Sequence, residues 1–249
     1  MKKKLGLSVL LMSSLLIGIT SCDKDDDDKT KAVTCKISSI VSTGTSTSTV
    51  ALKYDEGRLA TTTTAGGAGS SKLFNYAGNT ITIVDRNAAG AVTGSNEVLL
   101  NENGKIVMIT VKNINGHTTN TITYTYNTDG NLSMAVNTPI TGSADTSLFI
   151  FSGGNLQRMV AQNSDLTDYT YYTDKAFLDG DFLKTAQMVN YGALALINKN
   201  LLKSITTYDP IGNPQVTNLS YEYDSKGKLT RIVGTGNTSF NYSYTYDCK

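Results

Sequence analysis

The sequence predicts an all-β domain, an antiparallel up-and-down meander of about 14 strands in a curved or barrel-like sheet, with a short helical insertion near 179–199. Three observations carry that prediction. Apolar and hydroxyl residues alternate with period two, glycine-containing turns recur at near-regular spacing, and Gly, Thr, Ser, Asn and Tyr are plentiful beside three prolines and no Trp. Such a composition suits strands joined by tight turns.

In chain order, a short lysine-rich start at residues 2–4 leads into the mostly apolar, uncharged residues 5–19 and then the small residues Thr20 and Ser21. This three-part layout predicts a secretory signal over 1–21. The apolar stretch falls short of the roughly 20 residues that a spanning helix needs. Ile19-Thr20-Ser21-Cys22 resembles the bacterial lipobox. The resemblance implies a diacylglyceryl group on the Cys22 thiol, cleavage before it and a membrane partner reached through lipid; two or three acyl chains anchor far more firmly than one. Residues 22–34 then form a tether, with Asp23, Lys24, Asp25, Asp26, Asp27, Asp28 and Lys29 in succession. Like charges in a run repel each other and bury no apolar area, so the segment is expected to be solvated. An acidic run behind a lipidated cysteine also resembles the surface-export signal of Bacteroidota lipoproteins, which implies an outer-membrane, surface-exposed address. Consecutive carboxylates lack the alternate spacing and Gly turn of a calcium loop.

Residues 35–249 are read as one all-β domain. A formal charge of +1 argues against nucleic acid, which calls for a clustered basic patch. Cys35 and Cys248 stand near its two ends. In an oxidising compartment they form either a disulfide or two reduced thiols, and sequence alone does not choose.

A unit recurs in which an aromatic or apolar strand meets a glycine turn and a second strand opens with Leu or Ile. It reads LKYDEGRL at 52–59, FNYAGNTI at 74–81, LLNENGKI at 99–106, YTYNTDGNL at 124–132, FIFSGGNL at 149–156 and YEYDSKGKL at 221–229. Gly57, Gly78, Gly104, Gly130 and Gly154 are 21, 26, 26 and 24 residues apart, and the 73 residues to Gly227 are close to three more units. A period in this range marks an array of like supersecondary units. Asn127 and Asp224 open turns closed by Gly130 and Gly227, the arrangement of a type I turn with a glycine bulge. Ile122, Tyr124 and Tyr126 share one face while Thr121, Thr123 and Thr125 share the other. Phe240, Tyr242, Tyr244 and Tyr246 alternate likewise with Asn241, Ser243 and Thr245. Period two means half-buried antiparallel strands. Between 179 and 199, apolar residues at 182, 183, 186, 189, 193, 194 and 197 follow helical spacing, with Asp179 or Asp181 able to cap the start. One or two short helices are expected there, resting on the sheet or over one end of it.

The Tyr-x-Tyr-Asp-x-x-Gly-x-Leu units resemble the YD repeats of RHS-type proteins. With the lipobox and the stretch Asn198-Lys199-Asn200-Leu201-Leu202, the chain is similar to an uncharacterised family of Bacteroidota lipoproteins described as having a porin-like fold. The units near Tyr76 and Phe151 lack the Asp. The resemblance implies a curved or closed antiparallel sheet and no known activity. A sheet of this kind is expected to stand in water, because a lipid-facing band should be aliphatic with aromatics only at its rims, whereas here Tyr runs along whole strands.

Candidate chemistry is sparse. His117 is the only histidine and lies in a turn-like stretch, so a His-based triad or a multi-histidine metal site has nothing to assemble from. The glycines punctuate hairpins and make no phosphate loop. Neither a cofactor nor a metal nor catalysis is expected. Two readings of function remain. One is a non-catalytic binding or interaction module for a glycan or a surface protein, using Tyr124, Tyr126, Tyr221, Tyr223, Tyr242 and Tyr244 as ligand-facing groups, although core packing explains most such tyrosines. The other is a carrier that holds a lipid or other apolar ligand within the curved sheet, with the helical insertion as its lid.

Overall fold

The computed structural model describes residues 34–44, 46–66, 69–162, 166–209 and 211–248. The expected signal, Cys22 and all of the tether but Thr34 lie outside the described residues.

The sheet closes into a barrel of sixteen antiparallel strands. In chain order they are β1 (Cys35–Thr43), β2 (Ser48–Asp55), β3 (Arg58–Ala65), β4 (Ser70–Ala77), β5 (Thr80–Asn87), β6 (Val92–Leu100), β7 (Ile106–Asn113), β8 (Thr118–Tyr126), β9 (Leu132–Pro139), β10 (Asp145–Ser152), β11 (Asn155–Ala161), β12 (Leu166–Ala176), β13 (Asn200–Tyr208), β14 (Pro214–Tyr223), β15 (Leu229–Gly236) and β16 (Phe240–Cys248). Each pairs with its neighbours in sequence, and β1 pairs with β16 to close the ring. At that seam Cys35 lies opposite Cys248 and the two form a disulfide, 213 residues apart in sequence.

The antiparallel meander of about fourteen strands expected from the sequence is borne out as a closed ring of sixteen, since β1 and β16 flank the glycine-turn hairpins and join across the seam. One expectation needs correction. The interval from Gly154 to Gly227 holds two units, not three; the connection between β12 and β13 is enlarged by the helical insertion.

The repeat places alternate connections on alternate rims. The glycine turns after β2, β4, β6, β8, β10 and β14 share one rim with the β1–β16 ends and the β12–β13 insertion. Asn101, Asn127 and Asp224 each accept two backbone N–H bonds within their turns, and Gly104, Gly130 and Gly227 close them at positive φ. Neighbouring units are stitched together by tyrosines. Tyr76 donates to the Leu59 carbonyl at 3.0 Å, Tyr221 to Leu202 at 2.6 Å and Tyr246 to Leu229 at 2.7 Å, and Tyr126 donates to Ile106. In three of these stitches the residue just before the acceptor is basic and lies over the same ring, Arg58 on Tyr76, Lys105 on Tyr126 and Lys228 on Tyr246. The signature of tyrosine, turn, basic residue and leucine is thus a joint between successive hairpins.

Strand register puts the tyrosine face inward. Tyr242 and Tyr244 lie opposite Ile232 and Ile40, and Tyr124 opposite Ala135, with Leu59, Ile81, Ile83, Val98, Ile109 and Ile232 almost wholly buried on the same inner side. The outer face of β8 is Thr119, Thr121, Thr123 and Thr125. On β16 it is Asn241, Ser243, Thr245 and Asp247. Outward ion pairs join Lys112 to Glu97 at 2.6 Å and Arg158 to Asp168 at 2.6 Å. Most of the wall is therefore apolar inside and polar outside.

Sixteen strands about 4.8 Å apart give a girth of roughly 77 Å, wide enough to admit a helix about 10 Å across. One does enter. The insertion forms a single helix, α1 (Phe182–Tyr191), rather than two, and the following 192–199 segment is not helical. Asp181 caps α1, its Oδ1 accepting the N–H groups of Leu183 at 3.0 Å and Lys184 at 3.3 Å, and Gly192 ends it in the left-handed conformation that glycine tolerates. The helix crosses the lumen between the glycine-turn rim, where Gly180 ahead of it meets Leu229 and Tyr246, and the opposite rim, where Phe240 opens β16. Phe182 stacks on Phe240 at 5.3 Å, and Gly192 at the other end lies against Phe74 and Tyr76. The return segment is pinned to the barrel wall: Ile106 N donates to Leu194 O, Lys199 N to Gly154 O, and Asn155 Oδ1 accepts from Lys199 N and Asn200 N. Helix and return segment together plug one end.

Candidate functional site

The other side of the plug is open. Ala186 and Asn190 are exposed although the helix lies within the barrel, so water reaches this face of α1 from the rim of the β1–β2, β5–β6 and β13–β14 connections. Two cavities flank Ala186, which borders both. The larger, about 240 Å³, lies between α1 and the wall of β8 to β12, with Tyr124, Phe149, Met159, Tyr169 and Tyr191 around it. The smaller, about 200 Å³, lies between Phe182 and Val189 on the helix and Ile40, Val50, Tyr242 and Tyr244 on the wall.

Both are lined by aromatic and aliphatic groups, yet they hold unspent polar capacity. The hydroxyls of Tyr124, Tyr169, Tyr191 and Tyr242 make no hydrogen bond among the described residues. Burial pushes the Tyr124 and Tyr169 phenols up from their ordinary range, so both stay neutral donors at any physiological pH. Tyr244 instead bonds the Thr185 side chain, and its pKa too is raised, chiefly by burial.

Towards the open rim the inward positions turn polar. Lys72 reaches Asp85 at 2.7 Å and Asn96 donates to the other Asp85 oxygen at 2.9 Å, across β4, β5 and β6. Farther along the same wall, on β8 and β9, Asn120 donates to Asn137 Oδ1 at 2.8 Å. The lumen therefore grades from aromatic at the helix to amide and paired charge at the mouth. This order would seat a ligand with its apolar part on the plug and its polar part outward.

Two buried side chains flanking the helix, Asp181 before it and Asn198 in the return segment, each keep a polar atom unspent among the described residues. Asp181 is 1% exposed, and its Oδ2 and the Nδ2 of Asn198 are buried without partners among the described residues. Asn198 Oδ1 accepts from Leu156 N at 2.8 Å and from the Tyr171 hydroxyl at 3.2 Å. Burial raises the pKa of Asp181 against the pull of three backbone N–H groups, those of Lys184, Leu183 and Leu202.

Of the tyrosines read from the sequence as ligand-facing, Tyr124, Tyr242 and Tyr244 line the two cavities. Tyr126 and Tyr221 are committed to carbonyls of neighbouring strands at the plugged end, and Tyr223 lies at that rim under Lys175. Asp179 also stays at the plugged rim, bonded to Lys184, while Asp181 turns inward and is the residue that caps α1. His117 sits in the β7–β8 turn with its N–H on Asn113 Oδ1. Sequence reasoning missed Tyr169, Tyr191, Phe149 and the mouth polar groups. Strand parity carried a signal for Asn96, Asn120 and Asp85, which share the inward face with Val98, Ile122 and Ile83.

No protein-family model and no curated protein matches this chain. Among solved structures, a porin-like protein from Bacteroides uniformis ATCC 8492 superposes with a TM-score of 0.61 at 16% identity, over 85% of this chain and 96% of that one. A porin-like protein from Bacteroides vulgatus ATCC 8482 covers 85% of this chain and 98% of its own at 16% identity, with a TM-score of 0.49. The chain thus has the fold of the Bacteroides uniformis porin-like protein.

Proposed function

We propose that this chain is a non-catalytic carrier or binding protein, tethered to the outer membrane by lipid on Cys22 and exposed at the cell surface, that takes a small apolar or amphipathic ligand into its lumen. The carrying observation is the pair of aromatic cavities over α1, open to water on one side and holding four tyrosine hydroxyls without hydrogen-bond partners among the described residues. Placing the tyrosine rows inside favours capture within the barrel over stacking on its outer surface. The wall supports a barrel that stands in water and hangs from its tether, since threonine ladders and ion pairs would face acyl chains in a spanning one. A glycan remains the second reading, favoured by the Lys72, Asp85 and Asn96 cluster at the mouth.

The test uses residues 34–249, which form a compact unit with all strand pairings internal. Panels of fluorescent fatty acids, lysolipids and oligosaccharides are titrated against it and against Ala186→Trp, which fills the saddle between the cavities. Saturable binding of an amphiphile, weakened at least tenfold by Ala186→Trp, supports a lumenal carrier. Saturable sugar binding with the same loss supports the glycan reading, and no binding from either panel defeats both.

A further inference from the structure

The turns on the two rims differ in chemistry. At the plugged rim the described hairpin turns have polar or glycine tips, such as Glu56, Gly78, Glu102, Asp129 and Lys226, and the exposed apolar residues there, Leu178 at 36% and Ile197 at 44%, belong to the β12–β13 insertion. At the open rim, three separate connections carry isoleucines that stand in solvent: Ile114 after β7 is 64% exposed, Ile140 after β9 is 68% and Ile211 after β13 is 85%. Buried apolar residues need no partner outside the fold, whereas an isoleucine this exposed at a turn gives up its burial energy for nothing within the chain.

The outer wall beside these turns is apolar too. Met134, Leu148, Val160 and Leu166 stand opposite one another in register across β9, β10, β11 and β12, on the outward side, with Val136 and Ile150 a step away. Leu148 is 47% and Ile150 51% exposed. This row interrupts the threonine-rich exterior and lies farther down the wall from the Ile140 turn, with Thr138 and Thr146 between them.

We infer that the open rim from β7 to β14, with the outer face of β9 to β12, docks on an uncharged or zwitterionic lipid surface. Geometry separates this occupant from a second copy of the chain. The wall row measures roughly 14 by 7 Å from strand and residue spacing, far below the ~800 Å² per partner of a stable protein interface. The Ile114 and Ile140 turns are about 10 Å apart along the rim and the Ile140 and Ile211 turns about 19 Å, counting strands. Dispersed single side chains make a poor protein hot spot but can each enter a fluid bilayer separately. The isoleucine turns carry one formal charge, Asp209, whose carboxylate is occupied by Ile211 and Asn213, so anionic headgroups are not called for. Reach is no obstacle. The twelve residues 23–34 can extend about 40 Å, more than the roughly 30 Å length of a nine-residue strand. An anchor entering at the plugged rim therefore lets the opposite rim meet the same bilayer. The contact is independent of whether the lumen takes a ligand.

The experiment is flotation of residues 34–249 with phosphatidylcholine vesicles, comparing wild type, Ile114→Ser/Ile140→Ser/Ile211→Ser, and Leu148→Ser/Ile150→Ser. Wild type should float, and the triple variant should lose roughly 100-fold in partition coefficient, as expected for removing part of the burial of three isoleucines. Its melting temperature should stay that of wild type, because the altered side chains are exposed. Ala186→Trp should float like wild type, which separates this contact from the lumenal site. A wild type that stays with the aqueous phase, or a triple variant that floats equally, overturns the inference. So does a concentration-dependent dimer, seen by light scattering, that Leu148→Ser/Ile150→Ser abolishes.

Discussion

Gln187 is the hinge pin of the plug, and replacing it by alanine should loosen the return segment before it unfolds the barrel. Its Oε1 accepts from Ala195 N at 2.8 Å and Leu196 N at 2.9 Å, while Nε2 donates to Leu196 O at 3.0 Å and Leu183 O at 3.1 Å. Ala195 and Leu196 are both buried, so truncation strands two backbone N–H groups. Each unpaired buried donor costs about 1–3 kcal/mol, and water entering from the open lumen can recover part of that, which leaves about 2–4 kcal/mol. Hydrogen exchange with mass spectrometry should show residues 192–199 losing protection in Gln187→Ala while β5 and β15 keep theirs, and urea denaturation should show the fall in stability. Gln187→Glu retains both acceptor bonds and should fall between alanine and wild type. Unchanged protection of 192–199 together with a stability loss below about 0.5 kcal/mol would refute the assignment.

Alkaline pH should unfold the barrel cooperatively. Burial raises the phenols of Tyr126 and Tyr246 to about 12, so the neutral form is the one the fold prefers. Their contribution is complete below the unfolded value near 10 and disappears between there and about 12, and phenolate absorbance should rise together with loss of circular dichroism rather than before it. Removing the seam by Cys248→Ser should lower the denaturation midpoint; the chain-entropy cost of opening so long a loop is roughly 5 kcal/mol, and β1 and β16 should exchange first. An unchanged midpoint would mean that strand pairing alone holds the closure. Gly234→Ala puts a Cβ 2.4 Å from the Phe240 ring, so the Phe182 stack must shift. A destabilisation of about 1–3 kcal/mol is expected, partly relieved by Phe240→Leu in a double-mutant cycle.

The wall was legible because its information is local. Alternation at Thr121 to Tyr126 and at Phe240 to Tyr246 specifies strands with one buried side, and asparagine or aspartate before glycine specifies the turns. The helix was legible from apolar spacing and Asp181. Closure was not, since the β1–β16 pairing joins residues about as far apart as the domain allows, with only two cysteines to mark it. The plug's place within the lumen was equally hidden, because helical periodicity identifies an apolar face without saying which surface receives it. Gln187 reads as an ordinary helix residue, and only the returning chain turns it into a clasp. The mouth polar groups share the parity of the core on their strands, which becomes meaningful once register shows how high each one sits.

The covalent seam changes what a protease can do. From Cys35 to Cys248 the chain is a ring, and a single cut in any exposed connection only converts that ring into one linear chain whose new ends belong to adjacent or plug-bridged strands. No fragment leaves until a second bond is cleaved, and after the first cut every strand still has both neighbours. Nicked molecules would stay assembled, and nicking would be visible only after reduction.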